Sequence, residues 1–150
     1  MLAISIIVII ILLSIILVMV SQNQKPSQEL GMEGQRFKEI GMKPNAVSTQ
    51  TIQSDKRIDA LPMKATLEES VTAMKEAFAQ YGGIVIKEEQ SNYLYATAAT
   101  KIVKFKDDIE VFFNETTQRV EYRSMSRVGY SDMGLNRTRY EAIAKLYEAL

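Results

Sequence analysis

Cysteine, histidine and tryptophan are absent from this chain, and proline occurs only 3 times and glycine 7 times in 150 residues. The missing cysteines exclude disulfides and thiol nucleophiles. Together with the missing histidines they exclude zinc sites of the Cys/His type and the commonest general base. Any metal would have to be oxygen-bound. So little proline and glycine argues against a fibrous or disordered chain. An excess of one charge is also missing, since 18 Lys+Arg balance 18 Asp+Glu. Without a global field to hold a polyanion, nucleic acid is not expected as a partner, and no cofactor is expected.

Polarity is scarce at the N-terminus. Met1 to Val20 carries only Ser5 and Ser14 as polar side chains, and no charge appears before Lys25. About 20 apolar residues at ~1.5 Å each cover the ~30 Å hydrocarbon thickness, so residues 1–20 are expected to form a single transmembrane anchor in the cell membrane. β-Branched residues dominate every side of this stretch, unlike a buried core helix with a polar stripe. A cleaved signal peptide would bring a basic n-region, a shorter apolar stretch and small residues at a cleavage site, none clearly offered by Val18-Met19-Val20-Ser21-Gln22. Lys25, Arg36 and Lys38 follow the span with no Lys or Arg before it, which tilts the rest of the chain toward the cytoplasm.

Residues 21–45 are rich in Gln, Ser, Gly and Lys without a sustained period and read as a linker whose last part packs onto a globular domain at 46–150. Thr66-Leu-Glu-Glu69 is a capping box opening an amphipathic helix through Leu67, Val71, Met74, Phe78 and Tyr81, with Gly82-Gly83 as a left-handed stop. Ile84-Val-Ile86 and Tyr93-Leu-Tyr95 read as a hairpin around a polar loop. Two longer strands follow, about Ile102 to Phe113 and Arg119 to Tyr130, and a last helix carries Tyr140, Ile143, Leu146, Tyr147 and Leu150. The expected fold is α+β: the N-terminal transmembrane helix, then an antiparallel sheet of about four strands with two helices on one face.

Matching the apolar faces of the long strands sets a register with Val111 beside Tyr122 and Glu110 beside Arg123, and with Asp108 diagonal to Arg123 and within longer reach of Arg127. The same register sends Asp107 to the apolar side near Ser126, which calls for a bulge or for a partly buried carboxylate with a hydroxyl partner.

Of seven arginines, five (Arg119, Arg123, Arg127, Arg137 and Arg139) fall between 119 and 139, where there is no lysine. The planar guanidinium fork suits a carboxylate or phosphate held by two parallel hydrogen bonds. Gly129-Tyr-Ser-Asp-Met-Gly-Leu-Asn136 ends in a good N-cap, so the last helix is expected to begin after Asn136 with Arg137 and Arg139 in its first turn. Cations there oppose the helix macrodipole by about 0.3–1 kcal/mol each when exposed, and a negative group should offset them. Asp132, with Asp108 or Glu110, could do so from inside, and an anionic ligand could do so from outside.

Three readings follow. An internal network of Arg, Asp, Ser and Asn pinning the loop to the sheet accounts for every residue without a ligand. An anion or carboxylate site would use Arg123, Ser126, Arg127, Ser131, Asp132, Asn136, Arg137 and Arg139, with Asp108 and Glu110 behind them. Catalysis would draw on Asp107, Asp108, Glu110 or Asp132 as acids or bases and on Ser124, Ser126 or Ser131 as nucleophiles. No activating partner for a serine is evident, and adjacent acids on a strand face apart. Asn114-Glu-Thr116 and Asn136-Arg-Thr138 also match the glycosylation acceptor pattern, the second being better used as a helix cap.

Arg123-Ser-Met-Ser-Arg-Val-Gly-Tyr-Ser-Asp-Met-Gly-Leu-Asn-Arg-Thr-Arg139, with Phe105-Lys-Asp-Asp-Ile-Glu-Val111 and Pro44-Asn-Ala-Val-Ser-Thr49, resembles the family called domain of unknown function 1499 over about residues 41 to 150. The family commonly has Cys after Pro-Asn. Here that place is Ala46, which leaves a thiol or redox role without its residue. The resemblance implies the domain limits, the same arginine-rich loop, no particular activity, and a small protein often membrane-attached or exported, against the cytoplasmic tilt of the charges. The leading functional expectation is a membrane-tethered binding or structural module engaging an anionic small molecule, a lipid headgroup or a partner protein's carboxylate. The alternative is a hydrolase-type enzyme using Asp108, Glu110 or Asp132 with arginine clamps.

Overall fold

The computed structural model describes residues 2–100 and 103–150. The first helix, α1, runs Leu2–Gln24. Ile4–Gln24 is a 21-residue span whose most apolar 18-residue window has a mean hydropathy of 3.3, and none of that window is buried in the protein. At ~1.5 Å per residue that length reaches about 30 Å, long and apolar enough to cross a membrane.

Eight strands and two further helices follow in the order β1 (Met32–Glu33), β2 (Arg36–Phe37), β3 (Ala46–Ser48), β4 (Leu61–Pro62), α2 (Leu67–Tyr81), β5 (Ile84–Gln90), β6 (Tyr93–Ala99), β7 (Lys106–Asn114), β8 (Arg119–Ser126) and α3 (Leu135–Ala149). The large sheet has six strands in the order β3-β8-β7-β6-β5, with β4 also pairing β8, and every pair is antiparallel. The architecture is α+β as expected, with two strands more than the four expected. The extra two, β3 and β4, are three and two residues long, too short to show a period-two pattern.

Several boundaries differ from expectation for local reasons. The polar run Lys87–Gln90 is strand rather than loop, because Glu88, Glu89 and Gln90 pair with Tyr95, Leu94 and Tyr93 after a bulge at Ile86/Glu88. Charged residues suit β5, which is an edge strand. Strand β8 stops at Ser126, short of Tyr130, and Gly129 beyond it has φ +99°. The expected start of the preceding strand at Ile102 lies outside the described residues. Thr66 caps α2 by accepting from the Glu69 N–H (3.1 Å), the first half of the expected capping box; the Glu69 side chain makes no return bond to the Thr66 N–H among the described residues. At the other end Gly82 has φ +80° and ψ 157°, so its conformation is not the left-handed helical one expected.

The register of β7 with β8 is the expected one, pairing Val111 with Tyr122, Glu110 with Arg123 and Asp107 with Ser126. It turns Ile109, Val111, Phe113, Val120 and Tyr122 toward α2 and α3, where they form the core with Met74, Phe78, Leu94, Ile143 and Tyr147.

The opposite face is covered by residues between α1 and β3. Phe37 and Ile40 are buried there, Ile40 against Ala46 and Met125. Residues 21–45 therefore include a hairpin, β1/β2, and a chain laid across the sheet.

Helix α3 begins at Leu135, after Gly134 in the left-handed conformation, so Asn136 is not its N-cap. Asp132 takes that role: Oδ1 accepts from the Gly134 N–H (3.0 Å) and Oδ2 from the Asn136 N–H (2.9 Å). An Asp three residues ahead of the helix reaches the free N–H groups and releases the Asn136 side chain to point inward. Asp132→Ala is expected to cost ~1 kcal/mol and to speed amide exchange in the first turn of α3, as read by hydrogen exchange.

Candidate functional site

Arg123 and Arg127 point to the face away from the helices, and each pairs with an acid of β7 that a phenol of β6 also holds. The Arg123 Nε–H donates to Glu110 Oε2 (2.7 Å), Arg123 Nη2 pairs with the same oxygen, and Tyr93 Oη donates to Glu110 Oε1 (2.6 Å). One row along, Arg127 donates to Asp108 Oδ1 from Nη2 (2.7 Å) and Nε (3.0 Å), and Tyr95 Oη donates to that oxygen (2.7 Å). Period-two alternation makes the repeat: Tyr93 and Tyr95, then Asp108 and Glu110, then Arg123 stand on one face of three neighbouring strands. Arg127 lies just past the end of β8 and reaches back.

The segment between α1 and β3 takes up the remaining donors and acceptors. Gly31 N–H donates to Glu110 Oε1 (2.8 Å) and Ser27 N–H to Asp108 Oδ2 (2.9 Å). Arg123 donates to the carbonyls of Lys38 and Gly31, and Arg127 Nη1 donates to the Asn23 carbonyl (3.1 Å). The Phe37 ring lies 5.0 Å from the Arg123 guanidinium carbon. Neutralisation and full hydrogen bonding are what allow four charged groups to be buried together.

The third pair is on the helix face. Asp107 is buried there as the register requires, but its partner is neither a bulge nor a hydroxyl: Arg139 of α3 donates to Asp107 Oδ2 (2.5 Å). Arg139 also donates to Asn136 Oδ1 (2.8 Å), and the Ser124 hydroxyl bonds the same oxygen. Asn136 Nδ2 donates to the Asn45 carbonyl (3.1 Å) and to Ser126 Oγ (3.2 Å). Both Asn114 and Asn136 are buried, and Asn114 Oδ1 accepts from Thr116 and Thr117 N–H.

The residues singled out from the sequence therefore occupy separate places. Arg123, Arg127, Asp108 and Glu110 share the face under residues 23–41; Ser126, Asn136 and Arg139 lie on the helix side; Ser131 and Asp132 shape the loop before α3. Ser131 Oγ accepts from Met133 N–H (3.1 Å). Arg137 is not offset by a carboxylate: its Nη2 donates to the carbonyls of Asp55 (2.9 Å) and Arg57 (3.0 Å). Sequence reasoning missed Tyr93, Tyr95 and Asn23 as members of the network. The i, i+2 spacing shared by the two tyrosines and by Asp108 and Glu110 was the available signal for the first two.

An open hollow of about 680 Å³ lies at the other end of β8, lined among others by Arg36, Arg57, Arg119, Thr49, Asn114 and Glu121. Arg36 Nη2 donates to the Gln50 carbonyl (3.1 Å), and Glu121 Oε2 accepts from Thr49 Oγ1 (2.5 Å). The Arg57 and Arg119 side chains make no hydrogen bond or ion pair among the described residues. Among those residues there is also no group of three or more Asp/Glu placed to hold a metal ion.

Burial, the hydrogen bond to Asp108 and that carboxylate's charge push the Tyr95 phenol from its ordinary 10.0 up to about 12. Burial and Glu110 raise Tyr93 as well. Burial alone would lower the Arg127 guanidinium, but the Asp108 hydrogen bonds and charge outweigh it and raise it. A phenol with a raised folded value holds its proton after the unfolded chain has lost it. The stability it contributes is therefore intact below pH 10 and lost as the pH rises from 10 toward 12. Alkaline titration followed by tyrosinate absorbance and circular dichroism is expected to show the Tyr95 share of the ionisation, read as the difference between wild type and Tyr95→Phe, rising together with unfolding.

No curated protein and no solved structure matches the chain. The model of a family described as protein of unknown function (DUF1499) matches residues 37–146, which takes in both arginine rows, the Asp107–Arg139 pair and the loop before α3. With that match spanning well over half of its 150 residues, the chain belongs to the DUF1499 family.

Proposed function

We propose that this protein is a non-catalytic module tethered to a membrane by α1, which binds a carboxylate- or phosphate-bearing ligand in the groove of Arg36, Arg57 and Arg119. One contrast carries the reading. Arg123, Arg127 and Arg139 are each taken by an acid of β7, whereas the Arg57 and Arg119 side chains have no partner among the described residues and line an open hollow. Guanidinium groups free to fork onto an anion are suited to this chemistry.

The internal pairs serve the tether. Asn23, in the last turn of α1, donates to the Lys104 carbonyl (3.0 Å) and accepts from the Lys106 N–H (2.7 Å), while Arg127 holds its carbonyl. The helix thus passes into the domain through a hydrogen-bonded joint and not a free linker. A hydrolase reading would need Asp108, Glu110 or Asp132. The first two are buried under guanidinium groups and the third caps α3, which supports the non-catalytic reading.

Isothermal titration of the full chain in neutral detergent with inorganic phosphate and with succinate tests this proposal. Saturable binding that weakens with salt is expected, and it should be lost in the double variant Arg57→Gln with Arg119→Gln. Both side chains are exposed, so the fold should stay within about 0.5 kcal/mol per substitution. Absence of saturable binding, or equal binding by the variant, would remove the ligand from the proposal and leave the structural module.

A further inference from the structure

Outside α1 the most exposed large apolar side chains are Met133 (97%), Met42 (85%), Ile52 (82%), Tyr130 (73%) and Val103 (61%). Ile52 lines the arginine groove. The other four share one end of the sheet. Ala46, Ala99, Lys106 and Ser126 mark that end, as the pairings Ala99 with Lys106, Asp107 with Ser126 and Ala46 with Met125 show. Met42 lies just before β3, Val103 between β6 and β7, and Tyr130 and Met133 between β8 and α3.

These connections are laced together. Asn45 Nδ2 donates to the Gly129 carbonyl (3.3 Å), Asp132 N–H to the Pro44 carbonyl (3.4 Å) and Arg127 N–H to the Lys106 carbonyl (3.1 Å). Apolar exposure here is therefore held by ordered backbone. The turns at the opposite end, Ser91-Asn92 and Glu115-Thr-Thr-Gln118, carry no apolar side chain.

The same end receives α1. Beyond the Asn23 joint, Val103 and Phe105 line one hollow of about 440 Å³ together with Ile16, Met19 and Val20. Val103 thus stands beside the last turns of the apolar length of the helix. Lys25, Lys43, Lys104 and Lys106 accompany these residues, and Lys106 Nζ donates to Gln24 Oε1 (3.1 Å). Apolar tips, a tyrosine and lysines with long stems are the side chains that settle at a membrane–water interface, with stems in the hydrocarbon and charges at the headgroups.

We propose that this end of the sheet, through Met42, Val103, Tyr130 and Met133, seats on the lipid surface from which α1 emerges. The inference rests on the tether reading. It gives the domain a fixed posture: the groove of Arg36, Arg57 and Arg119 lies toward the opposite end, beside Asn114 and Thr117, and so faces a soluble ligand and not a headgroup.

The absence of tryptophan makes the test direct, because each single substitution adds the only indole. Leu12→Trp, Val103→Trp, Met133→Trp and Ser91→Trp would be made in the full chain and reconstituted in phosphatidylcholine–phosphatidylglycerol vesicles, with and without brominated lipids. The proposal expects blue-shifted emission and marked bromine quenching for Leu12→Trp, Val103→Trp and Met133→Trp, and neither for Ser91→Trp. Quenching of Leu12→Trp with water-like, unquenched emission from Val103→Trp and Met133→Trp would overturn the seating and leave the tether standing. Escape of Leu12→Trp from quenching would overturn the tether and the seating with it.

Discussion

Arg123→Ala is expected to lower the thermal midpoint of the full chain by more than ten degrees. Arg123 and Glu110 are almost wholly inaccessible, and truncation leaves Glu110 charged and buried with only Tyr93 and the Gly31 N–H around it. Breaking one partner of a buried pair costs ~3–5 kcal/mol, and at roughly 4 °C per kcal/mol for a domain of this size the shift is large. The loss goes beyond the pair, since the Lys38 and Gly31 carbonyls lose a donor and Phe37 loses the cation above its ring. Hydrogen exchange should therefore show the Lys38 amide, which bonds the Gly31 carbonyl, exchanging faster along with the β7 and β8 strand amides, while the Ser27 amide on Asp108 changes less. Arg123→Lys keeps the charge but not the fork and should fall between. A midpoint within a few degrees of wild type would mean that residues 23–41 are not held by this pair.

Arg139→Ala is expected to be about as severe, for a different reason and with a different remedy. Asp107 would remain on the helix face beside the apolar core with no cation, again ~3–5 kcal/mol of destabilisation by denaturant titration. Asn136 keeps the Ser124 hydroxyl, so the damage centres on Asp107. Adding Asp107→Val, with Arg139→Leu in place of alanine, removes both charges and should restore stability to near or above wild type. The same remedy should fail at Glu110 and Arg123. There the backbone groups of Gly31 and Lys38 depend on the charged side chains and would be orphaned. A double variant at 107 and 139 as unstable as Arg139→Ala would show that the guanidinium is needed to hold Asn136.

What was legible in the residues was what is local. The Thr66 N-cap works within one turn, so its sequence signal and its bond to the Glu69 N–H coincide. The register of β7 with β8 was legible because a one-residue slip would move a whole apolar face into water. The arginine bias between 119 and 139 marked the right segment but not its arrangement. Alternation, a strand end and a helix start carry Arg123 and Arg127 to one side of the sheet and Arg139 to the other, although they are close in sequence. The start of α3 was misplaced because Asn136 is as good a cap by type as Asp132. Only the inward bonds of its side chain to Asn45 and Ser126 remove it from that role.

Short-range physics decided the apolar helix, the two packed helices, the long strands and the excess of arginine forks over one segment, because each depends on spacing within a few residues. Tertiary structure alone decided that three of those forks close on Asp107, Asp108 and Glu110, that residues 23–41 are bound as a cover over the sheet, and that Arg57 and Arg119 are left open. Those outcomes join residues 13 to 104 positions apart. Contacts at that separation depend on which faces meet when the whole chain is packed.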